Sequence, residues 1–485
     1  MDNSKKFETR VKQLKYEVLK EVAEASFDDR LAGTVLDIPK KIIPGNKPTM
    51  RCCVYKERAI LGERVKLAMG GNPDNPNVIE VISIACDECT KTGYQVTDNC
   101  RGCIAHRCEQ ACPKSAITFD SKMKAHIDTE KCVQCGLCSR VCPYGAITDY
   151  KRPCENACRV KAIGMDEDGA AAINNDDCIR CGACVNSCPF GAIMDKSFII
   201  DTIKLIKDAK AQGSPLVAVV APSIATQYQG IHVNQIVAGL LRLGFTDVVE
   251  AAFGADRVAA RESMELAEKG TLTSSCCPAF VSLVRKKFPK LAGFVSETPS
   301  PMVMAAMSVK AAYPDAKIVF ISPCTAKKAE AQYKEVTPFI DNVISFEEMD
   351  ALLDSQGIIL SEMSTESRLD NATRYGRNFA ESGGVATAVT KALREHTDGL
   401  DEMFDIHPVV CNGIDECMAI LKKIEAGKID GNFFEGMICK DGCINGPVAI
   451  RHLGAAGRAV LEKHSEEVRG RKITETAEKD LNLDI

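Results

Sequence analysis

The chain has 485 residues, 45% of them hydrophobic and 26% charged, with a formal net charge of -5. That length allows two or three domains with sizeable cores, while the acidic balance and the lack of a long basic run argue against a nucleic-acid partner. The 25 cysteines would suit a disulfide scaffold only in a short secreted chain. The longest apolar stretch, Leu216 to Ala221, is far too short for a membrane span.

Residues 1–80 are charged and helix-prone, and they end in the loop GGNPDNPN. The chain begins with an amphipathic helical pattern that has no apolar signal core, which predicts a cytoplasmic protein. This stretch offers only Cys52 and Cys53, too few for a four-ligand site.

Residues 81–196 hold sixteen cysteines, Cys86 to Cys188, enough for four 4Fe–4S clusters at four thiolates each. Cys132-x2-Cys135-x2-Cys138-x3-Cys142-Pro is the bacterial ferredoxin run, and Cys178-x2-Cys181-x2-Cys184-x3-Cys188-Pro repeats it. Cys100, Cys103, Cys108 and Cys112 form a longer-looped variant. A cysteine followed three residues on by Lys/Ser/Gly-Ala-Ile recurs at Cys112, Cys142, Cys158 and Cys188, so four half-modules make two ferredoxin-like modules. The fourth cysteine of a run serves the other cluster of its module. One set is then Cys100, Cys103, Cys108 and Cys142, and its partner Cys132, Cys135, Cys138 and Cys112. Cys178, Cys181 and Cys184 take Cys158, leaving Cys154 and Cys188 to be completed by Cys86 and Cys89. In an alternative, Cys86/Cys89 and Cys100/Cys103 exchange roles. Zinc also binds C-x2-C pairs, but the Pro after the fourth cysteine and the Ala-Ile strand favour ferredoxin.

Residues 197–446 alternate strand-like and helix-like segments, as an α/β domain does. LVAVVAPS, TLTSSCCP and KIVFISPC are apolar runs that end in polar or cysteine-bearing turns. Ligands of open α/β sheets bind beyond the carboxyl ends of strands, so these turns predict one site. Cys277, Cys324, Cys439 and Cys443 could hold a fifth cluster there. Residues 447–485 read as a helical segment and a charged tail; Cys411 and Cys417 read as small core residues.

Three motifs in this region, Ser274-Ser275-Cys276-Cys277-Pro278, Ser322 to Glu330 and Glu435 to Gly446, resemble the signatures of the FeFe-hydrogenases in order. The resemblance, over about residues 81–465, implies two ferredoxin-like modules followed by an α/β domain carrying the H-cluster, an α+β and α/β architecture with a short helical C-terminal segment. The H-cluster is a 4Fe–4S cubane joined to a diiron unit with CO, cyanide and azadithiolate. By position Cys277, Cys324, Cys439 and Cys443 would hold the cubane, and Cys443 would bridge to the diiron unit. Lys327 resembles the lysine that hydrogen-bonds one cyanide, Pro222 and Ser223 the pair near the other, and Met437 the apolar wall. Pro323 precedes the ligand Cys324. Cys276, Glu262 and Glu265 sit at proton-relay positions; the two glutamates share a helix face.

Two departures stand out. Ser322 replaces the usual methionine, which predicts a more polar pocket, and Glu297 stands at the relay serine, so that Glu297 or a neighbouring serine would substitute. The resemblance implies reversible reduction of protons to dihydrogen, with electrons exchanged with a ferredoxin or another redox protein, and a need for H-cluster maturation proteins. The rivals are a redox sensor with the same cofactor, for whose signalling domain residues after 446 leave no room, and an iron–sulfur assembly protein without the diiron unit.

Overall fold

The computed structural model describes residues 7–90, 92–366, 369–397, 404–428 and 430–481. Two parallel sheets organise the region after residue 197. The larger has the strand order Asp247–Glu250, Leu216–Val220, Lys317–Ser322, Asn342–Ser345. All five residues of Leu216–Val220 are buried, as expected for a parallel strand covered on both faces, which needs an unbroken apolar run. The smaller sheet orders Leu272–Thr273, Phe433–Met437 and Pro408–Asn412. The three runs singled out in the sequence therefore belong to two sheets. LVAVV and KIVFIS lie side by side in the larger one, and the TLTSSCC run contributes a two-residue strand to the smaller.

The ferredoxin-like modules are nested. Ile79–Val81 pairs antiparallel with Ile193–Asp195, near the far end of the cysteine block. Between them Gly93–Val96 pairs with Ile147–Tyr150 and Ile117–Phe119 with Ala125–Ile127, closing one module. Ile163–Met165 then pairs with Ala171–Ile173 to complete the other. The chain begins the second module, builds the whole first module as an insertion, and returns.

The N-terminal helices share a core with the larger sheet. Helix Arg10–Phe27 packs on helix Phe346–Ser355, and Leu14, Val18, Leu19 and Val22 join the apolar cluster that contains Val217–Val219. Beneath that contact lies a buried ionic network. Lys15 Nζ donates to Asp195 Oδ1 at 2.6 Å and Glu347 Oε2 at 2.5 Å. Lys328 Nζ lies 2.8 Å from Asp195 Oδ2 and 2.6 Å from Glu348 Oε2. Burial alone would raise the Asp195 carboxyl, but Lys15 and Lys328 hold it well below the usual range. Three parts of the sequence thus meet on one carboxylate. After residue 447, helix Ala455–Glu466 packs on the turn Pro222–Thr226, and helix Ile473–Glu478 packs on helix Ala251–Lys269. Among the described residues no helix is long and apolar enough to cross a membrane.

Candidate active site and iron–sulfur ligands

The carboxyl ends of both sheets face one site. Leu216–Val220 runs into the turn Pro222–Thr226, and Lys317–Ser322 runs into Pro323 and Cys324. In the smaller sheet Leu272–Thr273 leads to Cys276 and Cys277, and Phe433–Met437 leads to Cys439 and Cys443. Cys277 and Cys324 are the N-caps of helices Pro278–Lys287 and Thr325–Glu330. The last loop turns through Asp441 and Gly442, both with positive φ. A Cβ on Gly442 would lie 2.7 Å from the Ala380 carbonyl oxygen, so glycine permits both the bend and the close approach.

The four thiols act on one another. Burial, then Cys324 and Cys277, push Cys443 up to about 12. Burial, then Cys277, push Cys324 up to about 11, and Cys439 is raised by burial, Cys324, Cys277 and Cys443. Neighbouring thiolates repel one another without a cation, so the chemistry of this donor set suits a thiolate-bound metal or cluster. The surroundings fit an anion-bearing group as well. Ser223 Oγ and Ser322 Oγ are buried with no hydrogen-bond partner, an arrangement that normally needs a ligand or water to satisfy it. Lys327, 8% exposed, extends to Glu330 Oε2 at 2.7 Å, and Met437 is 3% exposed. Pro222 opens the turn that carries Ser223, and the Pro323 carbonyl accepts from Val448 N at 3.1 Å. The buried unpartnered hydroxyls, the lysine and the thiols are the polar and cationic donors that an anion-bearing metal group would use.

A line of acid–base groups leads away from Cys276. The Cys276 thiol is held well above its ordinary value, chiefly by burial and then by Glu262. Glu262 and Glu265 lie on helix Ala251–Lys269. Burial pushes Glu262 up to about 7, against hydrogen bonds from Ser275. Its Oε1 accepts from Ser275 N at 3.0 Å, and Ser275 Oγ lies 3.1 Å away. The Ser296 hydroxyl influences Glu262 and donates to Glu265 Oε2 at 2.7 Å. Glu265 Oε1 accepts from Lys269 Nζ at 2.9 Å and Glu297 N at 2.9 Å. Burial works against ionisation of Glu265, but Lys269, Glu297 N and Ser296 hold it below its ordinary value.

Of the two alternatives, Glu297 or a neighbouring serine, it is the serine that lies against the glutamates. The Glu297 side chain is 85% exposed and pairs with Lys269 at 2.8 Å, while Ser296, 6% exposed, stands at both glutamates. In extended backbone, neighbouring side chains point to opposite sides, so a one-residue offset exchanges an inward hydroxyl for an outward carboxylate. Sequence reasoning missed Ser275 and Lys269; the lysine, four residues after Glu265, carried a legible helical signal.

In the cysteine block each thiol's neighbours sort the sets. Cys108 feels Cys103 and Cys142, and Cys138 feels Cys132 and Cys112. Cys154 feels Cys188 and Cys86, and Cys89 feels Cys86 and Cys188, so these four are electrostatic neighbours. Cys184 feels Cys181, Cys178 and Cys158. Cys181 in turn feels Cys277, and Cys439 feels Cys181, so this last set adjoins the site between the sheets. Cys411 and Cys417 are buried in an apolar cluster, whereas Cys52 is exposed.

The profile described as "Iron only hydrogenase large subunit, C-terminal domain" matches residues 214–447. A 4Fe–4S dicluster domain matches residues 99–146 and a 4Fe–4S binding domain residues 171–194. Iron hydrogenase 1 of Clostridium pasteurianum is 26% identical over 45% of this chain and 46% of its own length. The NADP-reducing hydrogenase subunit HndD of Solidesulfovibrio fructosivorans is 26% identical over 67% of this chain and 56% of its own length. The cytosolic Fe-S cluster assembly factor narfl of Xenopus tropicalis is 24% identical over 40% of this chain and 49% of its own. The chain thus spans about half the length of these relatives. Domain order, strand-end cysteines and sequence likeness agree: the chain is an FeFe-hydrogenase-like protein in which ferredoxin-type 4Fe–4S domains precede the hydrogenase catalytic-type domain.

Proposed function

We propose that the chain is a hydrogenase that interconverts dihydrogen with two protons and two electrons. The observation that carries this reading is a pair of hydrogen-bonded segments, Ser275–Glu262 beside Cys276 and Ser296–Glu265–Lys269 towards the surface, with the buried Glu262 Oε2 unpartnered between them. A site that only stores or passes electrons has no use for a buried carboxyl that titrates near neutrality. Cys181, on the opposite approach, gives the same site a neighbouring cluster.

Cys277, Cys324, Cys439 and Cys443 would hold the H-cluster, and Lys327, Ser223 and Ser322 would meet its polar ligands, with Pro222, Pro323 and Met437 shaping the wall. When bound, that group supplies the redox chemistry and the base at which hydrogen is made or split. The chain supplies the proton path. Cys276 keeps its proton at neutral pH because burial and Glu262 disfavour the thiolate, so it is a donor that recovers its proton from Glu262. Glu262, near 7, exists in both forms at neutral pH, as a relay group should. Ser296 passes the proton between the two glutamates by giving one and accepting another, and Lys269 and Glu297 mark the exit to solvent.

Electrons travel by the four accessory sets. The partner is a ferredoxin or another redox protein meeting the first module, in the cytoplasm, and loading of the site requires maturation proteins.

The test is infrared spectroscopy with iron analysis on the full chain matured anaerobically. CO and cyanide bands and about twenty-two irons, by counting four per cubane plus the diiron pair, support the reading. About twenty irons without bands would favour an assembly protein. Bands without turnover in a dye-coupled dihydrogen assay would favour a sensor.

A further inference from the structure

The four accessory cysteine sets share one backbone pattern, and one of them departs from it. In each half-module the last cysteine accepts a hydrogen bond from the backbone N–H four residues later. Ala116 N donates to Cys112, Ala146 N to Cys142, Ala162 N to Cys158 and Ala192 N to Cys188, at 3.2–3.4 Å. That repeat gives every set a similar backbone field. Arg180 N also donates to Cys178 Sγ at 3.4 Å, so a further backbone donor is shared by two sets; the set Cys86, Cys89, Cys154 and Cys188 adds a guanidinium to its own. Ala171 N donates to Cys86 Sγ at 3.4 Å, and Arg152 Nη1 reaches the same sulfur at 3.8 Å.

Arg152 is 3% exposed and grips the cluster loop at two further points, Thr90 O at 3.2 Å and Cys89 O at 3.4 Å. Arg64 approaches the same set from helix Val54–Ala68. It is 3% exposed, donates from Nη2 to Phe190 O at 3.2 Å, and leaves Nε and Nη1 buried without a partner. Desolvation pulls it down to about 10, and the main opposing influence is Cys188. A buried guanidinium without a carboxylate is costly unless an anion faces it. A cubane held by four thiolates is anionic in both oxidation states, and more so when reduced. Arg51 also lies near this set, but it faces Asp87 at 3.7 Å and Glu88 at 3.5 Å, which offset its charge. Beside the Cys178 set lie Arg180, half-buried with its Nε unpartnered, and Lys286, which is exposed and donates to Cys178 O at 2.9 Å.

We propose that Arg64 and Arg152 tune the cluster of Cys86, Cys89, Cys154 and Cys188 to the highest reduction potential of the four accessory clusters, making it the electron well of the wire. Reduction adds one electron from the redox partner to the cubane and breaks no bond. Two buried positive charges stabilise the added negative charge, and among the described residues no other accessory set has two arginines buried to this extent. The N-terminal helical region thereby acquires an electrochemical role, because Arg64 belongs to it. The inference rests on the four-cluster part of the proposed function and needs no diiron unit.

The test is an anaerobic EPR-monitored redox titration of the full chain reconstituted with iron and sulfide alone, with iron counted in the same samples. R64Q and R152Q should each lower one midpoint, the highest and the same in both variants. The expected shift is about tenfold in the reduction equilibrium, ~59 mV for one electron. R64K and R152K should keep most of the wild-type value. With full iron content, an unmoved midpoint, different midpoints moving in the two variants, or lysine variants falling as far as glutamine ones would overturn the inference. If R64Q does not fold, R152Q read against R152K decides alone. An iron deficit of one cubane in the wild type would also overturn it, by removing the cluster itself. Loss of the hydrogenase reading alone would leave every arm of this titration unchanged.

Discussion

The two ferredoxin-like modules are written in the same sequence code but occupy opposite environments. The first carries Ile104 at 99% exposure, Val133 at 56% and Tyr144 at 51%, all within or beside its cysteine runs. Its ion pairs are superficial, such as Lys131 with Asp128. The second is enclosed. Its closing strand places Asp195 under Lys15 and Lys328, and its Cys181 adjoins Cys277 and Cys439. The same 4Fe–4S-type ligand pattern is thus set in an exposed module and in an enclosed one, and the surrounding protein makes the difference.

Breaking one cysteine in each module should give the largest contrast. C181A should lose about four irons, one cubane, and drop dihydrogen turnover to background with any donor. C135A, at an exposed ligand of the first module, should lose the same iron but keep turnover driven by a small dye better than turnover driven by ferredoxin. Equal loss with both donors in C135A would mean that electrons do not enter in this order.

The ionic contacts extend the contrast to stability. Lys328 is fully buried between Asp195 and Glu348, so K328M should cost about 3–5 kcal/mol, the usual result of stripping one partner from a buried pair. K131M, on the first module, should cost under ~1 kcal/mol. Unfolding midpoints of the two variants measure this, and similar midpoints would remove the claimed difference.

A smaller effect lies in pH. The Glu262 carboxyl is raised to about 7 in the folded chain from an ordinary value of 4.5. It therefore holds its proton more tightly when folded. Its contribution to stability is full below pH 4.5 and is lost as pH rises through about 7. The unfolding midpoint of the wild type should fall relative to E262Q over that window and run parallel to it outside. Parallel curves throughout would show that Glu262 titrates normally.

Much of this was legible before folding. The sixteen cysteines and their Ala-Ile strands announced two modules because cluster ligation demands fixed spacing and a short return strand. The pairing of Cys86 with Cys188 was harder, since it depends on Ile79–Val81 meeting Ile193–Asp195 across an inserted module. Helical spacing brought Glu262 and Glu265 to one face, but Ser296 comes from a loop distant in sequence, and only its burial distinguishes it from Glu297. The amphipathic first helix displayed an apolar face without saying what it covers. Hydrophobic attraction is non-directional, and no periodicity could have matched Lys15 to Asp195 and Glu347.

The central claim, that the chain joins a proton path to an iron–sulfur wire at one site, is tested most directly by dihydrogen turnover of anaerobically matured wild type and C276A, with infrared spectra taken on the same samples. The account predicts CO and cyanide bands in both, turnover in the wild type, and a loss of about 10²–10⁴-fold in C276A, the size of removing a positioned acid. Equal turnover in the two proteins, or no bands in the wild type, would contradict it.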